Sequence, residues 1–249
     1  MTIISYSKNF IFVKTNKTAG TSLEIALSKF CNDKDIISQI GNDENIRSRL
    51  GYRSAQNYKG KLSKKINLGF FIDPFRWLLL KTPLNRFLNL RYAPSIFNAF
   101  LIENNVVEEH LSISKIQKIV GEKFYKNSKK ITIVRDPYTQ ILSYYHWQLF
   151  RNKISHQTSI YEFVKKESEF FFNNEISLLK NLKGKINFDL IIKYEEIDKG
   201  VNTIPKIVDI KDNIYDIFKN IKAKGGLKKM YHQLDEKSIK IVNNKADFL

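Results

Sequence analysis

Lys17, Gly20, Thr21 and Ser22 stand close together in the run KTNKTAGTSLE, residues 14 to 24. A glycine lets the backbone come close to a ligand. Two neighbouring hydroxyls add donors, and a lysine adds positive charge. That combination suits an oxyanion, provided that the run opens a helix. A helix N-terminus presents free N–H groups and the positive end of the macrodipole to phosphate or sulfate. The flanks meet that condition. Residues 10–14, FIFVK, fit a buried strand, and 20–30 fit an amphipathic helix. An ordinary strand–helix turn with exposed lysines is the competing reading.

The nucleoside-triphosphate loop has the pattern G-x-x-x-x-G-K-[ST]. Here Thr15 stands at the first glycine and Thr21 at the lysine. The only lysine inside the loop, Lys17, precedes the glycine, and no strand-ending Asp offers itself to magnesium. A phosphate loop without triphosphate machinery is expected, with no metal.

Proton transfer at neutral pH points to histidine. The chain has His110, His146, His156 and His232. His110 closes NVVEEH, read as a short strand over 105–110, and ligands in parallel α/β sheets gather at strand carboxyl ends. His146 falls inside a helical pattern and is read as packing. Glu108 and Glu109 are alternative bases.

These residues need elements to position them. Ile131–Val134 reads as a second strand, with Pro137 in the first turn of the following helix. FDLIIKYEEI, 188–197, reads as a third buried strand. Ser112 or Ser114 is a fitting N-cap for the helix in SISKIQKIVGEKF. Helical patterns fill 158–182, 211–223 and 234–246. Short apolar strands alternating with helices predict an α/β fold with a central, mainly parallel sheet. Residues 1–249 are read as one domain, with 41–105 as an insertion of short helices and loops that shapes the acceptor site.

Two segments resemble a known family. KTNKTAGTSLE is similar to the 5′-phosphosulfate loop of sulfotransferases that use 3′-phosphoadenosine 5′-phosphosulfate (PAPS), and most similar to the carbohydrate-sulfotransferase branch. ITIVRDPYTQILSYY resembles that family's 3′-phosphate segment, with Arg135 and Ser143 at the family spacing. EEHLSISKIQKIVG resembles the family's segment between these two, in which a histidine precedes a helix, and FDLIIKYEEI and MYHQLDEKSIKIVNNKADF resemble its later strand and last helix. Asn16 stands where the family usually has Pro, Lys14 where many members have His, and Gln140 where Arg is frequent.

The resemblance implies a three-layer sandwich of the P-loop nucleoside-triphosphate-hydrolase-like sulfotransferase type, with PAPS as sulfuryl donor. The cofactor contacts it implies are Lys14, Asn16, Lys17, Thr18, Ala19, Gly20, Thr21, Ser22, Arg135 and Ser143. Lys17 is expected to stabilise the leaving phosphate and His110 to take the acceptor proton. The implied acceptor is a hydroxyl of a carbohydrate or glycoconjugate, anionic and lipid-linked glycans included. A small-metabolite acceptor, a nucleotide-dependent phosphotransferase and a non-catalytic basic binding protein on a degenerate form of this fold are the alternatives.

Composition narrows the setting. The net charge is +17, which favours an anionic partner, but the lysines are dispersed and carry no specific nucleic-acid signal. Cys31 is the single cysteine, which excludes a disulfide framework and a cysteine-rich zinc site. The longest apolar cluster, FFIDPFRWLLL, is interrupted by Asp73, Pro74 and Arg76 and is too short to span a bilayer. With no signal peptide read before the first strand, a cytoplasmic, bacterial protein is expected. The segment 61–92 is open to two readings, a surface that wraps a glycan or a lobe over the core.

Overall fold

The computed structural model of the chain describes residues 2–57, 111–221 and 234–246. The elements are β1 (Thr2–Ser5), β2 (Phe10–Lys14), α1 (Gly20–Ser28), β3 (Ile36–Ile37), α2 (Glu44–Arg49), α3 (Ile113–Asn127), β4 (Lys129–Val134), α4 (Pro137–Phe150), α5 (Ile160–Leu179), β5 (Leu190–Lys193), α6 (Ile197–Ile207), α7 (Ile214–Lys219) and α8 (Glu236–Ala246).

The five strands form one mixed sheet in the order β3-β1-β2-β4-β5. β2, β4 and β5 run parallel, while β1 joins β2 and β3 antiparallel. Alternation along β2 explains the layering. Phe10 and Phe12 face a core shared with Leu23 and Leu27 of α1, Val201 and Ile204 of α6 and Ile214 of α7. Ile11 and Val13 face the other side, against Ile113 and Ile116 of α3 and Leu178 and Leu179 of α5. Helices therefore cover both faces, and a third apolar cluster ties α4, α5 and α8 together through Ile141, Phe163, Phe172 and Val242.

The parallel register sets the working edge. Lys14 lies opposite Ile133, and Val134 opposite Lys193. The turns after β2, β4 and β5 thus leave the sheet side by side at its carboxyl edge, where ligands bind in such sheets.

The helix starts follow local chemistry. Ser112 caps α3 by accepting from the Lys115 N–H, and Asp136 caps α4 by accepting from the Thr139 N–H ahead of Pro137. Ser159 and Glu162 form a capping box on α5. α3 is broken at Gly121, whose φ of 77° is non-helical.

Two sequence expectations change. The third strand is shorter than 188–197 and only Ile192 is buried, Ile191 being 47% exposed. Among the described residues β5 forms the sheet's edge. β1, β3 and α6 are additions to the expected list. Within the expected 41–105 insertion, residues 41–57 contain α2, whose Arg47 is fully buried; the remainder of that insertion, the strand expected over 105–110 and the segment 61–92 lie outside the described residues.

Candidate anion site

The turn between β2 and α1 is made of left-handed backbone without glycine. Lys17 has φ 61° and Ala19 φ 56°. Each such residue costs about 1–3 kcal/mol and persists only when its surroundings over-determine it. Left-handed residues inside a turn also produce concavities of N–H groups that bind anions. α1 opens at Ala19 with no side-chain cap; the backbone bonds that close its first turn run from Ser22 and Leu23 N–H to the Ala19 carbonyl. The helix start is thus left to an outside acceptor, in keeping with the donor set an anion needs.

Side chains hold the turn from beneath. Thr18 is buried and donates to the Thr15 carbonyl at 3.0 Å, while Thr15 donates to the Ile133 carbonyl of β4. Ser22 donates to the Ile221 carbonyl at 3.2 Å, tying α1 to the end of α7. Lys14 lays its stem across Gly20: a Cβ there would sit 2.1 Å from Lys14 Cγ. Its ammonium donates to Thr21 Oγ1 at 2.9 Å and lies 3.7 Å from Glu24 Oε2.

Glu24 anchors a buried ionic chain. Arg47 reaches Glu24 at 3.4 Å and Glu44 at 2.8 Å, and Ser38 Oγ donates to Glu24 at 3.3 Å. Glu24 and Arg47 are both fully buried. Burial pushes the Glu44 carboxyl up, with Arg47 opposing it.

The neighbouring turn, after β4, brings Arg135 to the first. Arg135 Nη1 donates to the Lys17 carbonyl at 2.9 Å and Nε to Thr139 Oγ1 at 3.1 Å, and the guanidinium stacks 4.3 Å from the Tyr194 ring centroid. Burial lowers its pKa, countered by Tyr194 and then Glu195; an arginine stays charged throughout the working range. Asp136 N–H donates to Glu195 at 3.0 Å, so the turn after β5 supports the turn after β4. Asp189, just ahead of β5, pairs with Lys129 and Lys130 and not with Arg135.

Lys17 Nζ lies 5.1 Å from the centroid of the Trp147 ring on α4, and Ser143 is half-buried one turn before Trp147. Arg151 also reaches that ring, at 6.0 Å. Asn16 and Gln140 meet directly: Gln140 Nε2 donates to the Asn16 carbonyl at 2.8 Å. Both also bond Glu175 of α5.

Lys14 at the end of β2 and Asn16, Lys17, Thr18, Ala19, Gly20, Thr21, Ser22, Arg135 and Ser143 thus belong to two adjoining turns, the strand end before the first and the helices that follow them. His110, Glu108, Glu109 and His232 lie outside the described residues. His146 is buried with its ring edge-on to Tyr145 at 5.3 Å, and His156 is exposed. Among the described residues no three His, Cys, Asp or Glu side chains converge as metal ligands, and no helix is long and apolar enough to cross a membrane.

Sequence reasoning missed Glu24, Arg47 and Glu175. Glu24 carried a signal, as the only charge in the helix GTSLEIALS. Glu175 sits in the apolar run EISLL, another carboxylate out of place. Arg47 carried none. No protein-family model, curated protein or solved structure matches the chain.

Proposed function

We propose that the chain is a sulfotransferase that moves the sulfuryl group of PAPS to a hydroxyl of a carbohydrate or glycoconjugate. The observation that carries this reading is the Arg135–Lys17 bond, which joins two cation-bearing turns at adjacent parallel strand ends. A ligand with two separated phosphates fits such a pair better than a triphosphate chain does, and the loop lacks the triphosphate lysine.

PAPS supplies an activated sulfuryl group on a phosphate leaving group. The N–H groups at the start of α1 hold the 5′-phosphate, and Lys17 neutralises charge on the oxygen that departs with it. Arg135 offers its planar fork to the 3′-phosphate, with Ser143 as a further hydroxyl donor. As the acceptor oxygen bonds to sulfur and the sulfur–phosphate oxygen bond breaks, the hydroxyl proton passes to His110, the base that the sequence resemblance implies.

The test compares thermal shifts with adenosine 3′,5′-bisphosphate and with ATP plus magnesium, followed by PAPS turnover on a glycan panel with and without EDTA. Stabilisation by the bisphosphate and chelator-resistant turnover support the reading. Preference for ATP, with activity abolished by EDTA and restored by magnesium, makes the chain a phosphotransferase.

A further inference from the structure

Glu175 lies on α5, far from either phosphate turn in sequence, and is 1% exposed. Its carboxylate accepts from the Asn16 backbone N–H at 2.7 Å and from Asn16 Nδ2. Gln140 Nε2 bridges the two, 3.4 Å from the carboxylate and 2.8 Å from the Asn16 carbonyl. The backbone donor, the backbone acceptor and the side-chain amide of one loop residue are therefore all held, and the next residue is Lys17 in left-handed backbone. Among the described residues no Lys or Arg pairs with Glu175. Burying a carboxylate is costly, and an apolar residue would fill the same place at lower cost. Of the three positions that depart from the sulfotransferase resemblance, Lys14, Asn16 and Gln140, the last two have side chains that bond Glu175. The three form one linked set.

We infer that Glu175 is a positioning residue for the phosphate loop: by clamping Asn16 it fixes the turn that aims Lys17 and the following N–H groups at a 5′-phosphate. The inference rests on the reading of the loop as a nucleotide-phosphate site. Charge and geometry predict opposite signs, which makes it testable. Removing a negative charge near an anion site strengthens the binding of every anion. Loosening the clamp weakens only ligands that occupy the loop.

The experiment is calorimetric titration of the full chain and its Glu175→Gln and Glu175→Ala variants with adenosine 3′,5′-bisphosphate and adenosine 3′-monophosphate. Glu175→Ala is expected to weaken the bisphosphate by roughly tenfold to a hundredfold, the scale of a displaced binding geometry. The isosteric Glu175→Gln, which keeps one acceptor, should fall between it and wild type. The 3′-monophosphate, which does not occupy the loop, should bind the variants as tightly as wild type or slightly more so. Asn16→Ala combined with Glu175→Gln should be no weaker than the worse single variant, because one clamp is lost only once. Unchanged or tighter bisphosphate binding in both Glu175 variants overturns the inference, and so does an equal loss for the two ligands, which marks a general structural role. Wild-type protein that binds neither ligand overturns the phosphate-site reading itself, and this inference with it.

Discussion

Arg135 divides its guanidinium among three neighbours, the Lys17 carbonyl, Thr139 and the Tyr194 ring. Its removal therefore has two consequences, loss of the charge proposed to meet a 3′-phosphate and release of the Lys17 turn. Arg135→Ala should weaken adenosine 3′,5′-bisphosphate by about 1.5–3 kcal/mol, the range for a hydrogen bond to a charged group. Adenosine 5′-phosphosulfate, which lacks the 3′-phosphate, should lose much less, and equal losses in competition titrations would move Arg135 out of the 3′ site. Cys31 is the opposite kind of residue. Its thiol is buried against the Leu27 carbonyl, and burial, reinforced by Asp35, pushes its pKa far up. Since the thiolate is the reactive form, native protein should react with a thiol reagent far more slowly than protein in denaturant; equal rates would place Cys31 at the surface. At this scale the sequence was legible wherever a residue acts on its own backbone. Ser112, Pro137 and Gly20 declared themselves by local chemistry. Glu24, Arg47 and Glu175 did not, because their partners lie 23 residues away for Glu24–Arg47 and 159 for Asn16–Glu175.

Elements are held together at two glycines by close approach. A Cβ on Gly20 meets the Lys14 stem, and one on Gly200 sits 2.4 Å from Ile192 Cγ2, where α6 crosses β5. Gly20→Ala should cost about 1–3 kcal/mol of stability by overpacking. Urea denaturation in a Lys14→Ala background should show a smaller penalty, since the colliding atoms are gone; an unchanged penalty would trace the cost to something other than Lys14. β2, α1, β4 and α4 were legible because each joins an apolar run to a recognisable helix start. β1 was not: TIIS is short and buried along its whole length, so no alternation marks it, and only pairing with β2 makes it a strand. β3 is two residues long and exists through its register with β1. β5 was read as buried because apolar composition does not distinguish an edge from a centre.

Across the whole molecule the charge balance is strongly positive, yet the partly buried Glu44 and the buried Glu175 have pKa values raised chiefly by desolvation. A carboxyl raised above its unfolded value binds more protons in the native state across that window. Its contribution is fully present below the ordinary carboxylate range, about 4.3 for Glu, and is lost as pH rises through the raised value. Thermal melts across pH should therefore show Glu175→Gln gaining on wild type as pH increases, because the variant has no proton to lose. A difference that stays flat with pH would mean that Glu175 titrates normally in the fold. The α/β class was legible at this scale from the alternation of strands and helices; the antiparallel β3-β1 flank was not, since it depends on a turn of polar residues clasped by Asp35, which accepts from Ser5, Ser7 and Asn32.

The bonds that shape the turn between β2 and α1 have a consequence in polymer terms. The β1–β2 hairpin closes between near neighbours, from Ser5 to Phe10. The turn that follows is completed only by loops of 118 residues to Arg135, 124 to Gln140 and 159 to Glu175. Long closures carry the larger entropy cost and form slowly. The short run KTNKTAGTSLE therefore holds the donors but not their arrangement, and no fragment shorter than the span from Asn16 to Glu175 contains all three of those bonds.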